Sequence, residues 1–291
     1  MFHGVFTALI TPFDEALAID EDALRELVSR QIEAGVDGLV PVGTTGESPT
    51  VSHEENIEVI RIVVEETAGR VPVIAGTGSN STAEAIDMTV RAKALGADAT
   101  LQVAPYYNKP SQEGFYRHFE AVARDGGLPV LVYNIPGRTA KNINVETLLR
   151  LSKVPGIIGA KEASGDLSQV MDLIAGTGAD FCVLSGDDNI TLPMMSLGAD
   201  GVVSVASNLI PRQMKQLTAL AASGKYDEAR TLHYELLPLF RAMFLDTNPI
   251  PVKYAYGLIH GGGSHYRLPL CEPSESVTAS IRDLLKEYRL I

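Results

Sequence analysis

The sequence predicts an α/β fold, a (β/α)8 TIM barrel with a C-terminal helical extension. Three observations predict it. Eight short apolar runs alternate with longer amphipathic stretches. A phrase recurs at Ala34-Gly-Val-Asp-Gly-Leu-Val, Leu95-Gly-Ala-Asp-Ala-Thr-Leu and Leu197-Gly-Ala-Asp-Gly-Val-Val, reading each time as a helix end, a left-handed Gly cap, an Asp and a strand. After about residue 224 the pattern turns wholly helical.

The runs are Val5–Ile10, Gly38–Val42, Val71–Ala75, Ala99–Ala104, Val130–Asn134, Ile157–Lys161, Phe181–Ser185 and Gly201–Val205, each of a length that suits a strand buried on both faces. Between them, Asp22–Ala34 places Leu24, Leu27, Val28 and Ile32 on one helical face, and Glu54–Glu66, Thr82–Leu95 and Gln112–Arg124 read the same way. An open doubly wound sheet is the alternative; it usually has fewer strands and a nucleotide fingerprint after the first, and neither holds here. Helical spacing continues through Tyr226, Ala229, Leu232, Leu236, Leu239 and Met243, with further segments near 250–260 and 274–289. We therefore expect a catalytic barrel over 1–224 and a helical extension over 225–291.

The chain has 291 residues, 45% of them hydrophobic, which disfavours disorder. Its 24 Lys and Arg against 36 Asp and Glu give a net charge of −12, which repels nucleic acid and anionic membrane surfaces. Cys182 and Cys271 form neither a disulfide framework nor a metal spacing, and the six His show no H-E-x-x-H pattern, so a metal-free mechanism is the default. No signal-peptide pattern and no bilayer-length apolar stretch is present, so we expect a cytoplasmic protein.

Barrel enzymes carry their active sites at the C-terminal ends of the strands. After strand 2 comes Gly43-Thr44-Thr45-Gly46-Glu47, where hydroxyls and exposed N–H groups can hold a carboxylate; an ordinary turn is the plainer reading. Strand 6 ends at Lys161, where partial desolvation favours the free amine and imine formation; a surface Lys closing a strand is the alternative. Strand 5 ends in Tyr133-Asn-Ile-Pro-Gly-Arg138-Thr, offering a proton-passing phenol and a carboxylate-binding guanidinium, or else a solvated Arg beside a core Tyr. After strand 4, Tyr106 and Tyr107 suit an interface. Two other motifs are decoys. His260-Gly-Gly-Gly263-Ser264 has no G-x-S-x-G partner, and Gly76-Thr-Gly78 lacks the third Gly of a dinucleotide loop.

The G-T-T-G-E loop, the Y-N-I-P-G-R-T segment and the strand-end Lys, in this order and approximate spacing, resemble the dihydrodipicolinate synthase family, within the pyruvate-dependent lyases that include N-acetylneuraminate lyase. The resemblance spans nearly the whole chain, from Gly4-Val-Phe-Thr-Ala-Leu-Ile-Thr-Pro-Phe13 to the last helices. It implies that Lys161 forms an imine with pyruvate, and that Thr44, Tyr133 and Tyr107 relay protons, Tyr107 serving a neighbouring subunit. It further implies that Thr45 holds the pyruvate carboxylate, that Arg138 binds the carboxylate of L-aspartate 4-semialdehyde, and that Gly186 and Val203 line the pyruvate pocket; the family often has Ile at the Val203 position. The implied enzyme is a homotetramer, a dimer of dimers, needing no metal or organic cofactor. Ser48, His53, Asn80, Glu84 and Tyr106 match a pocket that binds L-lysine as inhibitor in some members, while Pro49 and Asn56 depart from the inhibited pattern. The competing activity is a pyruvate-dependent aldolase acting on a 2-keto-3-deoxy sugar acid, and the competing class is a non-catalytic ligand-binding barrel.

Overall fold

The computed structural model describes residues 2–262 and 264–291, so Gly263 of the glycine-rich decoy lies outside the described residues. The chain runs in order through β1 (Gly4–Ala8), α1 (Glu21–Glu33), β2 (Gly38–Val40), α2 (His53–Thr67), β3 (Ile74–Gly76), α3 (Thr82–Ala94), β4 (Ala99–Val103), α4 (Gln112–Gly126), β5 (Val130–Asn134), α5 (Pro136–Thr139), α6 (Val145–Leu151), β6 (Ile157–Glu162), α7 (Leu167–Gly176), β7 (Cys182–Ser185), α8 (Thr191–Ser196), β8 (Gly201–Ser204) and α9 (Pro211–Ala222). Then follow α10 (Tyr226–Ala242), α11 (Ile250–His260) and α12 (Glu275–Glu287).

The strands form one parallel sheet in the order β2-β1-β8-β7-β6-β5-β4-β3, and an isolated bridge between Leu39 and Val73 closes β2 onto β3. All eight expected strands are present, and the fold is the expected TIM barrel. Two strands, β2 and β3, are two residues shorter than their apolar runs. Pro41 and Pro72 cannot donate to a ladder, so β2 stops at Val40 and β3 starts at Ile74.

Side chains alternate across the pleat. Leu131, Tyr133, Leu184 and Val203 pack inside the barrel, while Val130, Val132, Val183 and Val202 face the surrounding helices. The recurring sequence phrase has a structural explanation. Gly35, Gly96 and Gly198 sit at φ +84°, +94° and +108°, where glycine is favoured. The Asp that follows accepts a hydrogen bond from the backbone of the neighbouring strand segment: Asp37 from Val5, Asp98 from Val73 and Asp200 from Val183, each at 2.8 Å. The phrase thus pins adjacent strands in register at the N-terminal end of the barrel.

Helix starts follow their caps. Ser52 and Glu55 form a reciprocal capping box on α2, and Asp20, Ser81, Ser111, Asp166 and Ser274 cap α1, α3, α4, α7 and α12. Leu236, Phe240, Val252, Ala255, Ile281 and Leu285 share one buried cluster with residues of α1, α2 and α9, so the C-terminal helices pack directly on the barrel. Among the described residues no helix is long and apolar enough to cross a membrane.

Candidate active site

Tyr133 and Lys161 are direct partners in the β5–β6 ladder and face inward near its C-terminal end. The Lys161 Nζ lies 4.1 Å from the Tyr133 ring centroid, and the residue is only 6% exposed. Burial lowers the Lys161 pKa from 10.5 to about 8; Asp187 and Asp188 oppose the change and Arg138 adds to it. At neutral pH about a tenth of the side chain is then free amine, where an unperturbed Lys has far less than a hundredth. Glu162, the next residue, points outward and fastens the strand end. It accepts hydrogen bonds from the Asn134 amide at 3.1 Å, the Gln169 amide at 3.1 Å and the Ser164 N–H at 2.7 Å.

A cleft opens above Lys161, lined by Thr44, Thr45, Tyr133, Arg138, Gly186 and Asp187, with Phe244 and Asn248 reaching in from the C-terminal region. Burial, then Asp187, pushes the Tyr133 phenol well above its ordinary 10, while Arg138 and a hydrogen bond with Thr44 pull it back. Thr45 is buried, and its hydroxyl accepts from the Asn248 amide at 3.0 Å. Arg138 stands on the single turn of α5 and donates to the Asn248 carbonyl at 3.1 Å. Gly186 is constrained by space: a Cβ there would come within 2.6 Å of the Ala163 Cβ and 3.1 Å of the Lys161 Cε. Burial raises the pKa of both Asp187 and Asp188.

Of the expected residues, Lys161, Tyr133, Thr44, Thr45, Arg138 and Gly186 therefore meet in one cleft. Val203 does not line it; it is fully buried in the barrel-interior cluster, and Val205 reaches the cleft instead. Tyr107 stands away from the cleft, 91% exposed and at φ +70°. His53, Asn80, Glu84 and Tyr106 form a second group. The His53 ring comes within 4.0 Å of the Glu84 carboxylate, the Asn80 amide donates to the Tyr106 carbonyl at 3.2 Å, and Ser79 donates to Glu84 at 2.7 Å. Ser48 lines a narrow recess that it shares with Thr44, Gly76 and Tyr133. The Asn56 amide donates weakly to the Gly76 carbonyl at 3.4 Å, and its Oδ1 has no partner. Asp187, Phe244, Asn248 and Glu162 were not singled out from the sequence. Asp187 was within reach of the strand-end rule, since only Gly186 separates it from β7; Asn248, between two helical segments, gave no periodic signal.

The Dihydrodipicolinate synthetase family pattern matches residues 1–288. A 4-hydroxy-tetrahydrodipicolinate synthase of Citrifermentans bemidjiense is 51% identical over 291 residues, covering 100% of both chains. The structure of a chloride-inhibited dihydrodipicolinate synthase of Acinetobacter baumannii, complexed with pyruvate, superimposes with a TM-score of 0.98 at 41% identity, covering 100% of both chains. The enzyme of Cyanidioschyzon merolae, with lysine bound, superimposes with a TM-score of 0.97 at 42% identity, covering 100% of this chain and 99% of that one. On the family match and the full-length identity, the chain belongs to the dihydrodipicolinate synthetase family.

Proposed function

We propose that the chain condenses pyruvate with L-aspartate 4-semialdehyde to give 4-hydroxy-tetrahydrodipicolinate, in lysine and diaminopimelate biosynthesis. The observation that carries the reading is the buried, low-pKa Lys161 amine at the floor of a cleft that also holds Tyr133, Thr44, Thr45 and Arg138. The full-length identity to relatives named for this reaction supports the substrates.

The free Lys161 amine attacks C2 of pyruvate, and loss of water leaves an iminium. Its positive charge acidifies the adjacent methyl, which loses a proton to become an enamine. The enamine carbon attacks the aldehyde of the second substrate, and the new alkoxide takes a proton. The amine of the joined product then attacks the iminium carbon, closes the ring and releases Lys161. The high proton affinity of the Tyr133 phenol keeps it neutral at pH 7, so it can donate a proton and recover it through Thr44. Tyr107 completes this relay from a neighbouring subunit. Thr45 and the adjacent backbone take the pyruvate carboxylate, with Gly186 bounding the pyruvate pocket. Arg138 takes the carboxylate of the second substrate.

We read residues 1–224 as the catalytic barrel and 225–291 as the extension, assembled in the cytoplasm as a dimer of dimers. L-Lysine binds as an inhibitor at Ser48, His53, Asn80, Glu84 and Tyr106, its ammonium on Glu84; a lysine-bound relative supports this. The test of function is a coupled assay with pyruvate, L-aspartate 4-semialdehyde, the downstream reductase and NADPH, run beside Lys161→Ala. Turnover in the native chain alone is expected. No turnover from folded native protein overturns the reaction and favours a sugar-acid aldolase.

A further inference from the structure

We infer that the buried Lys253–Glu47 ion pair is a positioning device for the Thr44–Thr45 loop, through which the C-terminal region sets pyruvate affinity. This rests on the pyruvate reading above. The loop is a tight turn closed by the Glu47 N–H donating to the Thr44 carbonyl at 3.1 Å. Glu47 itself sits at φ +58°, a left-handed conformation that a residue with a side chain seldom adopts unless its surroundings hold it there.

The holding contact comes from far along the chain. The Glu47 carboxylate meets the Lys253 Nζ at 2.5 Å with both side chains fully out of water. Lys253 stands on α11; its ammonium also donates to the His265 carbonyl at 2.7 Å and lies 4.2 Å from the Phe13 ring centroid. One ammonium thus joins the loop after β1, the turn after β2, α11 and the segment that follows α11. Asn248, just before α11, makes the parallel contacts to Thr45 and Arg138.

Stability alone does not account for a charged pair here. Two apolar side chains of similar volume would fill the same space beside Phe13 and Tyr266, and buried ion pairs are often no more stabilising than such replacements. An apolar pair cannot supply direction. The ion pair fixes where the carboxylate of Glu47 points, and hence how the turn presents Thr44 and Thr45 to Lys161. Lys253 and Glu47 touch no reacting atom, so they are positioning residues.

The double variant Glu47→Leu/Lys253→Met separates the two roles. Purified native and variant chains are titrated with pyruvate and trapped with borohydride, the Lys161 adduct is read by intact mass, and thermal midpoints are recorded. We expect a thermal midpoint close to native with half-saturating pyruvate raised about tenfold, since a misplacement of an ångström is enough for such a loss. In the coupled assay the loss should fall on KM for pyruvate, with kcat held within about threefold. Native half-saturation in a folded double variant overturns the inference and leaves the pair as packing. If the double variant does not fold, Glu47→Asp, which keeps the charge but draws the turn one methylene toward α11, takes its place. Unchanged half-saturation there also overturns it. A native chain that traps no pyruvate at all removes the parent reading instead, a distinct result.

Discussion

Replacing Lys161 by Met should make the protein more stable at neutral pH while removing its chemistry. The folded chain lowers the Lys161 pKa from 10.5 to about 8, mainly by burial. Each tenfold loss of proton affinity is worth about 1.4 kcal/mol, so holding the ammonium in the folded site costs about 3 kcal/mol. The sign follows from proton counting. Between pH 8 and 10.5 the unfolded chain keeps a proton that the folded chain has released, so stability rises with pH across that window. Below pH 8 both states are protonated and the penalty is complete; above 10.5 it is gone. Met occupies nearly the same volume without the charge. At about 2.1 cal/mol/K of unfolding entropy per residue, 3 kcal/mol corresponds to a rise of about 5 °C in thermal midpoint. Thermal unfolding of native and Lys161→Met protein at pH 7 and at pH 10 is the assay. The gain should be present at pH 7 and mostly lost at pH 10. A variant no more stable than native at pH 7, or a gain indifferent to pH, refutes the claim that a desolvated amine sits at the site at a cost to stability.

Three further outcomes are expected. Tyr107→Phe should lower kcat by at least about a hundredfold, the scale of a lost acid–base group, and leave the fold of its own subunit intact because within that chain the side chain is 91% exposed; unchanged turnover would remove the shared-site relay. Burial holds the His118 imidazole at about 4, with its Nδ1 against the Thr82 hydroxyl. The unfolded chain therefore gains a proton first as pH falls below 6.5, and about 3 kcal/mol of stability should be lost by pH 4. His118→Phe should flatten that acid limb in a urea series, and an unaltered slope would show that other groups carry it. Calorimetry with millimolar L-lysine should give a binding heat that Glu84→Gln removes, and a silent native titration would empty the proposed inhibitor site.

Much of the barrel was legible because strands buried on both faces read as apolar runs and the helices between them as amphipathic ones. The strand-end rule then located Lys161, Tyr133 and the Thr44–Thr45 turn without any contact being known. Those rules work on neighbours in sequence, and they stop where the site is made by distant segments. Asn248 and Lys253 reach Thr45 and Glu47 across 203 and 206 residues. Lys253 sits among Ile250, Val252 and Ala255, where a lone Lys reads as the wet edge of an amphipathic helix; it is instead fully buried. Val203 marks a finer limit. Alternation places it inside the barrel, but which inward residue reaches the cleft depends on where β8 ends, and it ends at Ser204.

Lys161 has two carboxylates acting to raise its pKa, yet burial prevails and the amine is favoured. Burial also raises the pKa of both Asp187 and Asp188, so each carboxylate carries its charge at a desolvation cost of its own. Asp188 is further occupied elsewhere: its Oδ2 accepts from the Val205 N–H at 3.1 Å and the Ala206 N–H at 2.8 Å. Its charge is directed toward the end of β8 rather than toward Lys161. Arg138, at the same cleft, pushes the Lys161 proton off. A carboxylate in direct contact with Lys161 would hold the ammonium and block attack on a ketone, and among the described residues none pairs with it. The site buries the amine, ties the Asp188 carboxylate to the backbone after β8 and places a permanent cation nearby, and that arrangement leaves a nucleophile at the end of β6.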